Sequence, residues 1–533
     1  MAGPPGAGFC SRLAFWRARP ADGSPVLAGT RIGTWDGPLA VVDSRATVWP
    51  LGDGDGNGCQ VEWWIGADDR WYAPGVEAAV RQVRPGTAPV LETRMRVSGG
   101  DIVATTWAAQ ADGSAGPAVV VELSNETPVP VAVAVTVQAA AGGRIRRLAV
   151  DGRRLMADGA TAVVVDRDPG RFSLVDAGGD LWAEVTGGRA VEQAPDPVRC
   201  RIGAAAGALV VPLPHRTALR FAVPAGDLVD NPSAVLPAVE RVVAGWASRL
   251  EVAATVDVPE GADAHRALVD LLLAEPSASV VVELARWGFG KEAAQRLQSG
   301  WTGSGAGRLR AAAALWDLTR DPALFTRALV GAPLADGLDG IIRAGGDGPE
   351  ARRAVGVLAG LFEVLGDYTA AADAASLGEM TSPVEDAPLA VDTGPAAELR
   401  MLADRLVCRT TDGLDLLVDL PDAWLGQPVE VRGLATPVGR LGFAVRWHGE
   451  RPALLWELEA HPFPGPEVGP VVLRVPGLDR AFSSTGATGE ALLAAPAGRI
   501  PPQTSIPADG GSFTLFYDFA FSGSWGRSHR VRA

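Results

Sequence analysis

From about Leu27 to Val258 the apolar residues fall in short runs of strand length, rich in Val and Thr and divided by Gly, Asp and Pro. The segments 38–43, 60–66, 90–97, 101–109, 118–125, 129–137, 161–166, 208–213 and 218–223 all read this way. Nine or more such runs without helices between them predict an antiparallel β-sandwich over 1–236, because parallel strands need crossover helices. At Pro237 the period changes. Residues 237–250 start on a proline and carry apolar positions at spacings of three and four, which predicts a helix within a linker over 237–261. The stretch 262–380 keeps the helical period, and within it Leu315-Trp-Asp-Leu-Thr-Arg-Asp321 and Leu361-Phe-Glu-Val-Leu-Gly-Asp367 stand 46 residues apart, with a looser copy at 284–291. Such copies predict αα-hairpins that stack because none buries its own apolar face; the expected number is three hairpins and six helices. A polar linker, 381–395, precedes a return of strands at 405–411, 413–420, 427–434, 440–449, 452–460, 470–475 and 512–522. They predict a smaller second β-sandwich over 396–533, and the fold class is therefore multidomain β + α.

Composition narrows the function more than the fold. The 533 residues carry 48 basic against 62 acidic side chains, a net charge of −14, which argues against nucleic acid as a partner. No stretch approaches 18 apolar residues and the first residues show no leader-like apolar run, so the expectation is a soluble, cytoplasmic protein with no membrane partner. A single lysine, Lys291, among many arginines, with high Ala, Gly and Val, suggests a GC-rich bacterial genome. Cys10, Cys59, Cys200 and Cys408 are far apart, with no CxxC and no nearby His; they read as free buried thiols, and neither metal nor cofactor is expected.

The order sandwich, linker helix, αα-hairpins, small β-domain resembles the six-hairpin glycosidases, the glucoamylase and glycogen-debranching type, in an actinobacterial branch. The residues that carry the likeness are 302–329, similar to an inner and outer helix pair of that α/α toroid; 31–54 and 61–74, similar to the amino-terminal sandwich; and 440–462 with 477–493, similar to the carboxy-terminal domain. The resemblance implies a glycan or oligosaccharide ligand and a toroid of twelve helices. Twelve helices of about 11 to 12 residues with their loops need roughly 200 residues, and 262–380 supplies far fewer, so the expected helical domain is a truncated toroid. Two functions stay open: a non-catalytic relative that binds a glycan or a protein partner, or an active glycoside hydrolase on α-glucosides.

Hydrolysis would need two facing carboxylates, about 5 to 5.5 Å apart for retention or 6.5 to 9.5 Å for inversion. Trp301 and Asp347 are also 46 residues apart, so the loops 299–306 and 345–350 fall at equivalent places and should open onto one rim. That makes Glu350 and Asp347 the candidate catalytic acids and Trp301, Thr302 and Ser304 candidate ligand contacts. Asp347-Gly-Pro-Glu350 also reads as an ordinary helix start. Sixteen tryptophans against three tyrosines suggest rings for stacking on sugars; the densest cluster adds Trp64, Asp69 and Trp71 to the ligand set. Trp63 and Trp64 must face opposite sides of a strand, so at most one joins the sandwich core, and the other lies against the helices or a ligand. Asp53–Gly58 imitates the start of a calcium loop but has Trp64 at the twelfth position, where a glutamate is required, and reads as a turn. His448 with Glu457 and Glu459 is either an acid/base group or a surface hairpin.

Overall fold

The computed structural model describes residues 29–51, 58–111, 116–226, 231–259, 264–298, 301, 305–325, 349–379, 394–462 and 470–496. The first sandwich pairs an eight-stranded and a nine-stranded sheet whose strand ladders are antiparallel throughout. Alternation decides what lies between them: the strand Cys59–Gly66 sends Cys59, Val61, Trp63 and Ile65 into a core shared with Ile32, Met95, Ile102, Leu123 and Phe221. Gln60, Glu62 and Trp64 point the other way.

The two outer faces are covered differently. Over the nine-stranded sheet, Val90, Trp107, Val120 and Ala222 join one continuous apolar core with Trp246 and Leu250 of the linker helix, Val239–Leu250, and with the helices beyond. Trp107 is fully buried there, and its Nε1 donates to the Pro237 carbonyl at 3.3 Å. Over the eight-stranded sheet lies helix α1, Leu181–Thr186, capped by Asp180, whose carboxylate accepts from the Ala183 amide. The apolar pattern does not predict this helix, because six residues make less than two turns.

After the linker helix, here α2, the strand Thr255–Asp257 pairs antiparallel with Val429–Thr436. The stretch read as a linker thus supplies an edge strand to the second sandwich before the chain enters the helices. Six helices are described between 264 and 379: α3 Ala264–Leu272, α4 Ala278–Arg286, α5 Gly290–Gln298, α6 Gly305–Thr319, α7 Pro349–Val364 and α8 Tyr368–Glu379. The repeated turns do the same work in both copies. Asp321 caps the turn at Pro322–Leu324 through the Ala323 amide, and Asp367 caps α8 through the Ala370 amide. Before them, Arg320 at φ 45° and Gly366 at φ 78° end their helices in the left-handed conformation. Glycine adopts it freely; Arg320 is buried, pairs with Asp317 and lies over the Trp316 ring.

A further helix, α9 Pro395–Leu406, occupies the start of the segment read as second sandwich. It opens on a proline, buries Ala396, Leu399, Ala403 and Leu406, and packs on α3 and α4. The second sandwich is a five-stranded sheet and a four-stranded one, the latter holding a parallel pair, Gly413–Leu416 with Val472–Val475. The expected strand at 512–522 lies outside the described residues. The first sandwich is fixed to the helices by Trp35, in the turn between its first two strands. Its ring packs on Trp246 and Phe289, with centroids 5.4 and 5.7 Å away, and its Nε1 donates to Glu292 at 3.2 Å. Nearby, the buried Arg84 guanidinium pairs with Asp270 of α3 at 2.5 Å.

Candidate functional site

Of the rim residues, Thr302, Ser304 and Asp347 lie outside the described residues. Glu350 stands in the first turn of α7, and its side chain is also outside them. Trp301 is half-buried and packs against the main core. Most of 53–58 lies outside the described residues as well. His448 pairs across its hairpin with Arg451, whereas Glu457 and Glu459 stand opposite Gly442 and Arg440. Six residues of strand, about 20 Å, separate His448 from the nearer acid's partner, so the three side chains do not meet.

The tryptophan cluster is better defined. Trp64 is buried on the outer face of the eight-stranded sheet, where its ring meets Trp182 of α1 edge-on at 4.9 Å. What covers it is therefore a helix of the same sandwich, together with Leu181 and Val185. Trp71 is half-buried beside it. Asp69 is exposed in the preceding turn and accepts from the Tyr72 hydroxyl at 2.7 Å, a bond that holds its carboxyl below the usual range. Arg70 in that turn pairs with Glu77 and lies 3.8 Å above the Tyr72 ring.

The same face brings in residues that the sequence reading passed over. Glu62, half-buried, accepts from the Gln60 amide at 2.9 Å through Oε1 and from Trp64 Nε1 at 3.3 Å through Oε2. Burial pushes its carboxyl up to about 7; the Trp64 bond acts against that shift and the charge of Asp43 adds to it. Asp43 is itself fixed by the amides of Arg45 and Thr47 and by Trp49 Nε1, 3.4 Å away. A row of alternating residues, Gln60, Glu62 and Trp64, thus becomes a hydrogen-bonded line flanked by Trp49, Trp71 and Trp182. The available signal was an acid between two glutamine- and tryptophan-bearing positions on a single strand face.

A second acid stands apart. Glu283 on α4 is fully buried, and burial pushes its carboxyl to about 7, with the Arg286 charge acting against the shift and the Asp404 charge with it. Its Oε2 accepts no hydrogen bond, and the nearest cation, Arg286 Nε, is 3.7 Å away. Arg286 reaches on to Asp404 of α9 at 2.8 Å. The sequence did carry a signal here, since Glu283 is a lone acid in an apolar run whose residues from Ser279 to Ala285 are all buried.

Among the described residues, no three His, Cys, Asp or Glu side chains are grouped to hold a metal ion, and no helix is long and apolar enough to cross a membrane. Cys59 and Cys200 are free and buried, whereas Cys408 is exposed; Cys10 lies outside the described residues.

No protein-family model matches the chain, and no curated protein matches it. Among solved structures it is similar to a bacterial glucoamylase complexed with acarbose, at 11% identity and a TM-score of 0.43, over 75% of this chain and 72% of that one. It is also similar to an inverting GH92 mannosidase of Bacteroides thetaiotaomicron, at 11% identity and a TM-score of 0.39, over 60% of this chain and 54% of that one. A third is a GH92 family glycosyl hydrolase, at 11% identity and a TM-score of 0.36, over 65% and 60% of the two chains.

Proposed function

We propose that the chain is a carbohydrate-active protein of the six-hairpin glycosidase type that binds a glycan without cleaving it. The observation that carries this reading is the order of elements: sandwich, linker helix α2, helical hairpins, second sandwich. Seven helices are described from α3 to α9. Twelve helices with their loops need roughly 200 residues, far more than the stretch 262–380 supplies, which favours an incomplete ring and the loss of one carboxylate-bearing hairpin. Trp64, Asp69 and Trp71 belong to the proposed ligand-binding set; Trp301, Thr302 and Ser304 are proposed at the rim.

The alternative is an active hydrolase of α-glucosides that uses paired carboxylates. The deciding experiment screens neutral oligosaccharides for both binding and release of reducing ends. Binding without hydrolysis is expected. Hydrolysis abolished by Glu350→Gln or Asp347→Asn would establish the enzyme reading with the rim acids. No response to any saccharide would point instead to a protein partner.

A further inference from the structure

Resting on the carbohydrate reading above, we propose that the outer face of the eight-stranded sheet around Glu62 and Trp71 is the saccharide site, and that its ligand is an uncharged oligosaccharide. Four features of the face carry this.

The first is Trp71. A Cβ built on Gly66 would meet three atoms of the Trp71 ring, Cε2 and Cζ2 at 2.8 Å and Cη2 at 3.1 Å. Near-equal distances to three ring atoms mean that the ring lies face-down on the strand backbone. Its other face is turned away from the sheet, and the residue is half-buried. A flat ring so presented offers a broad apolar platform for the C–H face of a pyranose. Gly66 is what permits it, since any side chain there would lift the ring.

The second is the polar line beside that ring. Glu62 is held in place from both sides by Gln60 and Trp64. A carboxyl group immobilised by neutral donors keeps unused lone pairs for hydroxyl groups, and little rotamer freedom is lost on binding. The third is the neighbouring strand, Val131–Ala139. Its register puts Ala132 beside Gly66, Ala134 beside Trp64, Thr136 beside Glu62 and Gln138 beside Gln60. Small side chains therefore flank the rings, and a second amide flanks the first. Few polar groups on an apolar lining is the composition of an orienting small-molecule site.

The fourth is charge. Asp43, Glu62 and Asp69 border the face, and Arg70 is already engaged by Glu77. An anionic sugar would meet carboxylates here and a guanidinium already engaged by Glu77, so the class of ligand is neutral.

The test uses the full chain and titration calorimetry with maltoheptaose, mannohexaose and cellohexaose, and with a galacturonic acid hexamer as the charged probe. At least one neutral oligomer is expected to bind, with the charged hexamer about tenfold or more weaker. Trp71→Ala and Glu62→Gln are each expected to weaken binding by about tenfold, the scale of one aromatic or one charged hydrogen-bonding contact. Unchanged affinity in both variants would overturn the site and leave the carbohydrate reading standing. No binding by any neutral oligomer would overturn both. Equal affinity for the charged hexamer would overturn the ligand class. Should Trp71→Ala not fold, oxidation of the wild-type tryptophans with and without sugar gives the same answer by mass spectrometry. Protection of Trp71 is expected, and an unprotected Trp71 overturns the site.

Discussion

Glu62 and Glu283 are both carried by desolvation to about 7, in two regions built on opposite principles. On the outer face of the first sandwich, Glu62 has a neutral N–H donor on each oxygen and is half-buried. In the seam between α4 and α9, Glu283 is fully buried, one oxygen has no hydrogen bond, and a cation stands nearby without reaching it. Satisfied lone pairs stabilise the ionised form at little cost to the fold, whereas an enclosed oxygen without a donor penalises it. The first arrangement suits a group that must stay available. The second stores a penalty that falls due when the proton leaves.

That difference should appear first in stability against pH. Glu283 is raised from 4.5 to about 7, so the folded state holds the proton more tightly than the unfolded chain. Its contribution is fully present below 4.5 and is lost as pH rises from there through about 7. The shift is worth on the order of 3 kcal/mol. Glu283→Gln, measured by urea unfolding at several pH values, should therefore flatten the decline over that window and be the more stable protein at pH 8. An unchanged slope would mean that Glu283 is not enclosed as found. Arg286→Met should act in the opposite sense: at pH 8 it removes the nearest cation and the link to Asp404, for a loss of about 2 kcal/mol. Below pH 5, where Glu283 is neutral, the loss should be smaller. A loss independent of pH would show that Arg286 serves Asp404 alone.

The two regions also differ in how far they could be read from sequence. The strand pattern of the first sandwich is local, since alternation such as Cys59–Gly66 needs no partner to be recognised. The paired turns at Arg320-Asp321 and Gly366-Asp367 are legible for the same reason: each is a helix end and a cap within a few residues. What escaped was short or distant. Helix α1 has under two turns, and the strand Thr255–Asp257 has three residues whose partner lies more than 170 positions away. Helix α9 carries a proline start and helical spacing, but the strands that follow it directly mask that signal. For the site, Trp64 and Trp71 announced themselves by composition. Glu62 did not: an acid at an outward position of a strand looks like any solvated residue, and only α1 and the Trp64 ring folded across the face make it otherwise.

Glu62→Gln sets the two carboxyls side by side at the smallest scale. Glu62 is also raised above 4.5, so the sign is the same as for Glu283: stability is present below 4.5 and lost as pH rises through about 7. The size should be less, because both oxygens keep N–H donors and the group is partly in contact with water. The substitution removes that pH response and leaves one of the two donors, Gln60 Nε2 or Trp64 Nε1, facing an amide nitrogen, a cost of about 1 kcal/mol. Gln60 can turn its own amide to offer oxygen, which lowers even that cost. The variant should thus lie within about 1 kcal/mol of the parent at every pH, by the same urea titrations. A pH response as large as that of Glu283→Gln would erase the distinction between a carboxyl with a neutral donor on each oxygen and one enclosed with an oxygen that has none.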